Sequence, residues 1–463
     1  MADIPPPLLH AVVADEGGRL ALVIGAGTSF EPPTSLPLGG EASAAAHAQL
    51  LKNGVIQPGE CPNPNDLAVL ASLIYEKEGS QQTLVAELPM NSFRLAKPNR
   101  GYKLLIAMMA ERAITYVLSL NFDLAVQNAA AELGCTVHAV RSFGDPLPAA
   151  ATIIHLHGNA YDEPDNLVLR AEVINEAWKA SWQQVIAQQV LAAPIVLFIG
   201  LGSPAPVLTK TVQMIADAVG HNERFYQADV VTHDQSGFAA QLGVPPERYI
   251  EGGWTEVMGD LAARLANEQV DDLLEACDAL LTANHASDEQ IDDFNTTAER
   301  LRSVSLLGIG KLRARAKLEE TSYVPRHSLD DELFAEPISA LGGFCRSTGV
   351  TAVPCENGVW KLAREGRSLG CLIVSTGRGT RKISALEAKI RYQHEELCEI
   401  SNEPARAILL GGIIPEAHEI ASPDDIVTGD VIETLISGPP PPQPVVANDA
   451  AAFAILTELF DAA

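Results

Sequence analysis

Short apolar runs that stop at glycine or at polar side chains recur along the first part of the chain. Leu20-Ala21-Leu22-Val23-Ile24 runs into Gly25-Ala26-Gly27-Thr28-Ser29, and Thr115-Tyr116-Val117-Leu118 leads to Asn121-Phe122-Asp123. Thr152-Ile153-Ile154 continues as His155-Leu156-His157-Gly158, and Ile195-Val196-Leu197-Phe198-Ile199 ends in Gly200-Leu201-Gly202-Ser203. Runs of this kind mark strands buried on both faces, as in a parallel sheet, which delivers functional groups at its carboxyl ends. Ala228–Asp234 and Arg248–Ile250 read as further strands, and Thr136–Val140 as a short one. Helical patterns fall between them: a short helix from residue 8, an Ala-rich one from Glu41, then Asp66–Tyr75, Gly101–Arg112 and Leu124–Leu133. This alternation predicts an α/β fold, a doubly wound, Rossmann-like parallel sheet. Pro62, Pro64, Pro89 and Pro98 punctuate residues 60–100, which read as a helical insertion over the cleft.

Farther along the pattern changes. Val270, Leu273, Leu274, Cys277, Leu280 and Leu281 keep helical spacing, so residues 266–328 are expected to form a helical connector. Strands over Val350–Val353, Val359–Leu362, Cys371–Val374 and Ala407–Leu410, with a helix near Ser384–Glu399, predict a smaller C-terminal α/β domain at 329–437. Its layout resembles restriction-endonuclease-like folds. The strand that should carry their metal-binding Glu-x-Lys element reads Val374-Ser375-Thr376-Gly377, however, so the domain is expected to be non-catalytic. Residues 438–463 complete the chain: Gly438–Pro444 is a stiff proline-rich spacer. Asn448 is then placed to cap a helix carrying Phe453, Leu456, Leu459 and Phe460, which should dock on its own domain or on a neighbouring subunit.

At 463 residues the chain exceeds one ordinary core, and two or three domains are expected. No apolar run reaches the roughly 18 residues that span a bilayer, and Met1–Pro7 carries no basic leader, so a cytoplasmic protein without membrane contact is expected. The seven cysteines are scattered without a CxxC pair, which removes a local zinc ribbon or disulfide framework. A net charge of −27, from 32 basic and 59 acidic residues, opposes nucleic-acid binding unless positive charge is concentrated locally, and the first domain offers no such concentration. Lys311, Arg313, Arg315 and Lys317 form the densest basic stretch, which reads as a solvated helix face.

Each candidate site residue has two readings. The glycines of Gly25–Ser29 let backbone N–H groups approach a phosphate, but close strand-to-helix packing also selects glycine. Ser29 and Ser203 serve as ligand contacts or merely as cap and turn residues. Asn121 is by default a loop or cap residue, lifted by Asp123 two positions on. His155 and His157 alternate, so on one extended strand they share a face. Either both are hydrogen-bonded core histidines, or His157, followed by glycine, carries chemistry with His155 behind it. His-x-His also begins some metal sites, but no nearby ligand set completes one, and no metal is expected.

Taken in order, Gly25-Ala26-Gly27-Thr28-Ser29, Leu36-Pro37, Asn121-Phe122-Asp123, His157-Gly158 and Gly200-Leu201-Gly202-Ser203 resemble the motifs of sirtuin-like domains. More closely, they look like the divergent bacterial branch found in anti-phage defence proteins. The resemblance covers roughly residues 8–265 of a domain placed at 1–265. It implies a sheet that binds NAD as substrate and cleaves the bond between nicotinamide and ribose. By this resemblance Gly25, Ala26, Gly27 and Ser29 would cradle the pyrophosphate, with Thr28 and Pro37 part of the same cofactor site. Asn121 would hold the nicotinamide ribose or a water, Asp123 would order that loop, and His157 would act as general base. Gly200, Gly202 and Ser203 would lie along the adenosine side, although Pro204-Ala205-Pro206 follows where defence relatives often carry an acid.

The chemistry suits such a site. Nicotinamide departs neutral, so the protein supplies orientation, electrostatic support for an oxocarbenium-like ribose, and a base, for which an unperturbed histidine is fitted. Sirtuins that deacylate proteins carry a four-cysteine zinc module whose paired cysteines are absent here, which favours plain hydrolysis. An enzyme that destroys NAD must be restrained, so the resemblance also implies a homo-oligomer or a defence partner such as a HerA-type ATPase or a phage-derived trigger. The alternative is a non-hydrolysing NAD or ADP-ribose binding subunit of an effector complex.

Overall fold

The computed structural model describes residues 2–13, 19–141, 144–145, 151–170, 181–202, 206–219, 223–318, 321–376, 405–411, 442–448 and 450–461. These form two compact units, Met1–Arg264 and Leu265–Ala463. In the first, β1 (Leu20–Ile24), β2 (Ile114–Ser119), β3 (His138–Val140), β4 (Thr152–His155), β5 (Ile195–Ile199), β6 (Phe225–Asp229) and β7 (Tyr249–Glu251) build one sheet. Its order is β3-β4-β2-β1-β5-β6-β7, and every neighbouring pair is parallel. All of β1 is buried. Val23, Leu118, Ile154 and Phe198 form the centre of one core layer with Phe225 and Phe238. Each such side chain contributes about 1.5–3 kcal/mol relative to exposure. The sheet is therefore the doubly wound one that the apolar runs predict.

Topology places the cleft. The chain leaves β1 toward β2 on one side and later returns to β5 on the other, with Ile24 in register with both Ser119 and Ile199. Ligands of open α/β sheets bind outside the carboxyl ends of the strands at such a reversal.

Helices α1 (Pro6–Val13) and α2 (Gly39–Lys52) precede the insertion, which consists of α3 (Leu67–Glu78), α4 (Gln82–Glu87) and α5 (Met90–Arg94). Asp66 caps α3, accepting from Ala68 N at 2.9 Å and Val69 N at 3.2 Å. Helix α6 (Arg100–Ala110) leads to β2, and α7 (Ala125–Leu133) follows it.

Two strands differ from expectation. Strand β4 stops at His155, and Leu156 and His157 lie in the turn beyond, so the two histidines do not share a strand face. Strand β6 starts at Phe225 and stops at Asp229, and Val230, beyond its end, is 76% exposed.

The second unit holds a five-stranded sheet of order β12-β11-β10-β9-β8. The strands β8 (Thr351–Pro354), β9 (Trp360–Arg364) and β10 (Arg367–Ser375) form an antiparallel meander, to which β11 (Ala405–Leu410) and β12 (Gln443–Val446) add in parallel. The helices Asp288–Ala298, Leu306–Lys317 and Ala335–Thr348 belong to this unit. Arg313 and Arg315 are 1% and 2% exposed, which corrects the solvated-face reading of that stretch. Arg313 Nη1 donates to Gln269 Oε1 at 3.0 Å, and its Nη2 lies 3.7 Å from Asp331.

The tail helix, Ala452–Asp461, docks on its own unit. Phe453 and Phe460 pack on Phe344 at 6.4 and 6.5 Å between ring centroids, and Arg406 Nη1 donates to Leu459 O at 3.2 Å. That helix begins at Ala452, past Asn448, which is therefore not its cap. The helix expected near Ser384–Glu399, Gly377, and Gly438–Pro441 of the spacer lie outside the described residues.

Candidate active site at the carboxyl ends of β1, β2, β4 and β5

The two glycine turns lie against each other. Gly25 N donates to Ile199 O at 3.1 Å and Gly27 N to Gly200 O at 3.0 Å. A Cβ added to Gly25 would sit 2.5 Å from Gly200 O, and one added to Gly27 would sit 2.8 Å from Gly200 Cα. Gly200 itself has φ +70° and would push a Cβ to 2.7 Å from Thr28 N. Backbone packing of turn on turn therefore requires these three glycines, and it occupies the N–H groups of Gly25 and Gly27. Ala26 and Gly27 remain half-buried at the edge of the turn, as does Pro37. Leu36 N donates to Ser29 O at 2.9 Å and ties the Leu36-Pro37 step to the same turn. Gly202 is exposed at the far end of the β5 turn, and Ser203 lies outside the described residues.

Behind the turn is a buried polar network. Ser29 Oγ donates to Asp123 Oδ2 at 2.7 Å and lies 2.6 Å from the Tyr102 hydroxyl. Thr28 Oγ1 is 2.8 Å from that hydroxyl and 2.8 Å from Gly25 O. Asn121 Nδ2 donates to Gly25 O at 3.0 Å and reaches Thr28 Oγ1 at 3.3 Å, while Asn121 N donates to Ser119 Oγ at 3.1 Å. Thr28, Ser29, Asn121 and Asp123 are all buried, so both turn hydroxyls expected at the pyrophosphate face inward instead. Asp123 also accepts from Ala125 N at 3.0 Å at the start of α7. Burial raises its pKa, partly offset by the Ser29 bond. The Tyr102 hydroxyl is raised as well, by burial first and then by Asp123 beside it.

Tyr102 did not figure among the sequence candidates. It sits in the first turn of α6, where Asn99 is the cap: Asn99 Oδ1 accepts from Tyr102 N at 3.2 Å and from Trp254 Nε1 at 3.0 Å. Asn99 Nδ2 in turn donates to Thr28 O at 2.9 Å. Asn99 ahead of a helical pattern is a readable cap signal, but nothing local in the sequence ties it to a turn some seventy residues upstream.

The two histidines have different surroundings. His155 is 1% exposed, with its Nε2 2.6 Å from Gln127 Nε2. His157 is half-buried in the turn, its ring 6.5 Å from that of Phe122, and its carbonyl accepts from Val168 N at 3.0 Å. Burial pushes each imidazole down to about 4, so both are neutral at pH 7. This corrects the expectation of an unperturbed His157. Gly158, at φ +82°, allows the chain to turn immediately after it.

The loop that follows is strapped to the helical insertion. Asp165 accepts from Gln81 N at 2.7 Å and from Ser80 Oγ at 3.0 Å. Gln81 Nε2 donates to Pro164 O at 3.0 Å, and the Arg170 guanidinium lies 3.7 Å from the centre of the Tyr75 ring. Among the described residues no group of His, Cys, Asp and Glu is arranged to hold a metal ion, and no helix is long and apolar enough to cross a membrane.

The fold thus gathers the Gly25–Ser29 turn, Asn121, Asp123, His157 and Gly200 at neighbouring strand ends. No protein-family model matches the chain, and no curated protein matches it. Among solved structures, it is similar to a Sir2 homologue mutant in complex with 2′-O-acetyl ADP ribose, at 15% identity and a TM-score of 0.35, covering 57% of this chain and 97% of that one. It is also similar to a Sir2 homolog–NAD complex, at 16% identity and a TM-score of 0.34, covering 57% and 93% of the two chains. A Sir2–p53 peptide–NAD+ structure matches at 14% identity and a TM-score of 0.32, covering 55% and 95%. These likenesses assign no role to any residue of this chain.

Proposed function

We propose that the first unit binds NAD and hydrolyses it to nicotinamide and ADP-ribose. The observation that carries this reading is the convergence of a glycine turn, Asn121 and a neutral histidine at the carboxyl ends of parallel strands, beside the β1/β5 reversal. The order of the motifs along the chain, which resembles that of sirtuin-like domains, supplies the identity of the ligand. In this reading the half-buried edge at Ala26 and Gly27, with Pro37, faces the pyrophosphate. Gly200 and Gly202 lie toward the adenosine. Asn121 orients the nicotinamide ribose or the attacking water. His157, unprotonated at pH 7, takes a proton from a ribose hydroxyl or from that water as the C–N bond breaks. Asp123 stays behind the turn and holds Ser29.

We place the protein in anti-phage defence by NAD depletion, with the second unit and an oligomer or partner ATPase restraining the site until a phage-derived trigger appears. One observation favours the second reading, a binding subunit without turnover: an imidazole pushed to about 4 is a weaker base than one near neutrality.

The deciding experiment is NAD consumption by the purified chain, alone and with extract of phage-infected cells, beside Asn121→Ala and His157→Ala. The expected outcome is turnover in the wild type that falls by about 10²–10⁴-fold in each variant. Saturable NAD binding with no cleavage in any condition would replace hydrolysis with the binding-subunit reading.

A further inference from the structure

The buried network behind Asn121 decides which end of its amide meets a ligand. Gly25 O, 3.0 Å from Asn121 Nδ2, is a carbonyl oxygen and can only accept, so the group facing it is the NH₂. The side-chain hydrogen bonds of Asn121 all leave from that nitrogen, toward Gly25 O, Thr28 Oγ1 and Ser29 Oγ. Each hydroxyl has one hydrogen to give. Ser29 gives its hydrogen to Asp123 and Thr28 gives its own to Gly25 O, so the Tyr102 hydrogen is the one left for the Ser29 and Thr28 oxygens, 2.6 and 2.8 Å away. With Asp123 ionised the chain runs one way, Tyr102 to Ser29 to Asp123, and the Tyr102 hydroxyl lies against both hydroxyl oxygens that face the Asn121 NH₂. Tyr102 is suited to hold it. The ring is fully buried, packed 5.4 Å from Trp254, and Asn99 joins both residues to Thr28 O.

We propose that Tyr102 is a positioning residue: its hydroxyl closes this chain, holds the Asn121 NH₂ inward, and leaves Oδ1 as the atom offered to the cleft. At that point the site takes a hydrogen-bond donor, a ribose hydroxyl or a water. The nature of the donor rests on the NAD reading; the amide orientation does not.

The test uses the full chain with asparagine side chains labelled with ¹⁵N, the Asn121 NH₂ signal being identified by its loss in Asn121→Ala. Tyr102→Phe removes one oxygen and keeps the ring. It is expected to speed hydrogen exchange of the Asn121 NH₂ and to lower kcat for NAD about tenfold, with KM within about twofold. Ser29→Ala, which breaks the same chain elsewhere, is expected to give the same pair of changes and decides the matter should Tyr102→Phe not fold. Unchanged exchange in a folded variant overturns the proposal. If the wild type never cleaves NAD, hydrolysis falls, while exchange still decides the orientation of Asn121.

Discussion

Burial keeps His155 and His157 neutral well below the pH at which a free histidine takes up its proton, and that has a measurable cost in acid. In the unfolded chain a histidine titrates near pH 6.5, whereas His155 in the fold titrates at about 4. Between those values the unfolded state binds the extra proton, so stability falls as pH falls, by about 3 kcal/mol in total for His155. Asp123, whose pKa burial raises, acts in the opposite sense: the stability it contributes when protonated is lost as pH rises through its folded value. Urea midpoints at pH 7, 5.5 and 4.5 should therefore decline less steeply in His155→Gln than in the wild type, and parallel curves would rule out this origin. For catalysis, if His157 is the base, the acid limb of kcat/KM should lie near its value of about 4 rather than near 6.5. At this scale much was legible. Asn121, Asp123 and His157 declare themselves by ending apolar runs. Tyr102 does not, because its partners Thr28 and Ser29 lie far upstream and its ring reads as one more apolar position of α6.

At the scale of elements, the turns after β1 and β5 are one packed object. Gly27→Ala would set a methyl group against the Gly200 backbone, and Gly200→Ala adds the cost of φ +70° to a clash with Thr28. Both should lower stability by about 1–3 kcal/mol, the second more, as read from denaturant midpoints. Gly202→Ala, with open space around it, serves as the control and should change little. Apolar runs located β1, β2, β4 and β5, because a strand buried on both faces needs continuous hydrophobicity; β3, with His138 and Ala139 exposed, has no such run. They were poorer at ends. Leu156 prolongs the pattern past His155, where β4 gives way to a turn, and exposed Val230 prolongs that of β6. The burial of Arg313 was hidden for another reason: its partners Gln269 and Asp331 lie far away in the chain.

At the scale of the whole molecule, a net charge of −27 over 463 residues means that like charges repel within the folded state. Raising NaCl from about 0.02 to 0.3 M shortens the screening length several-fold, so the melting temperature should rise with salt, and a flat or falling response would contradict this reading. The same charge predicts no measurable retention of duplex DNA at physiological ionic strength. The strap between Asp165 and the Ser80-Gln81 turn has a wider consequence. The loop after His157 and the insertion are held as one piece, and neither can be rewritten alone. Across descendants of this chain, a change of length or charge at 78–82 should be accompanied by one at 162–167, and the two segments should be inherited, lost or grafted together.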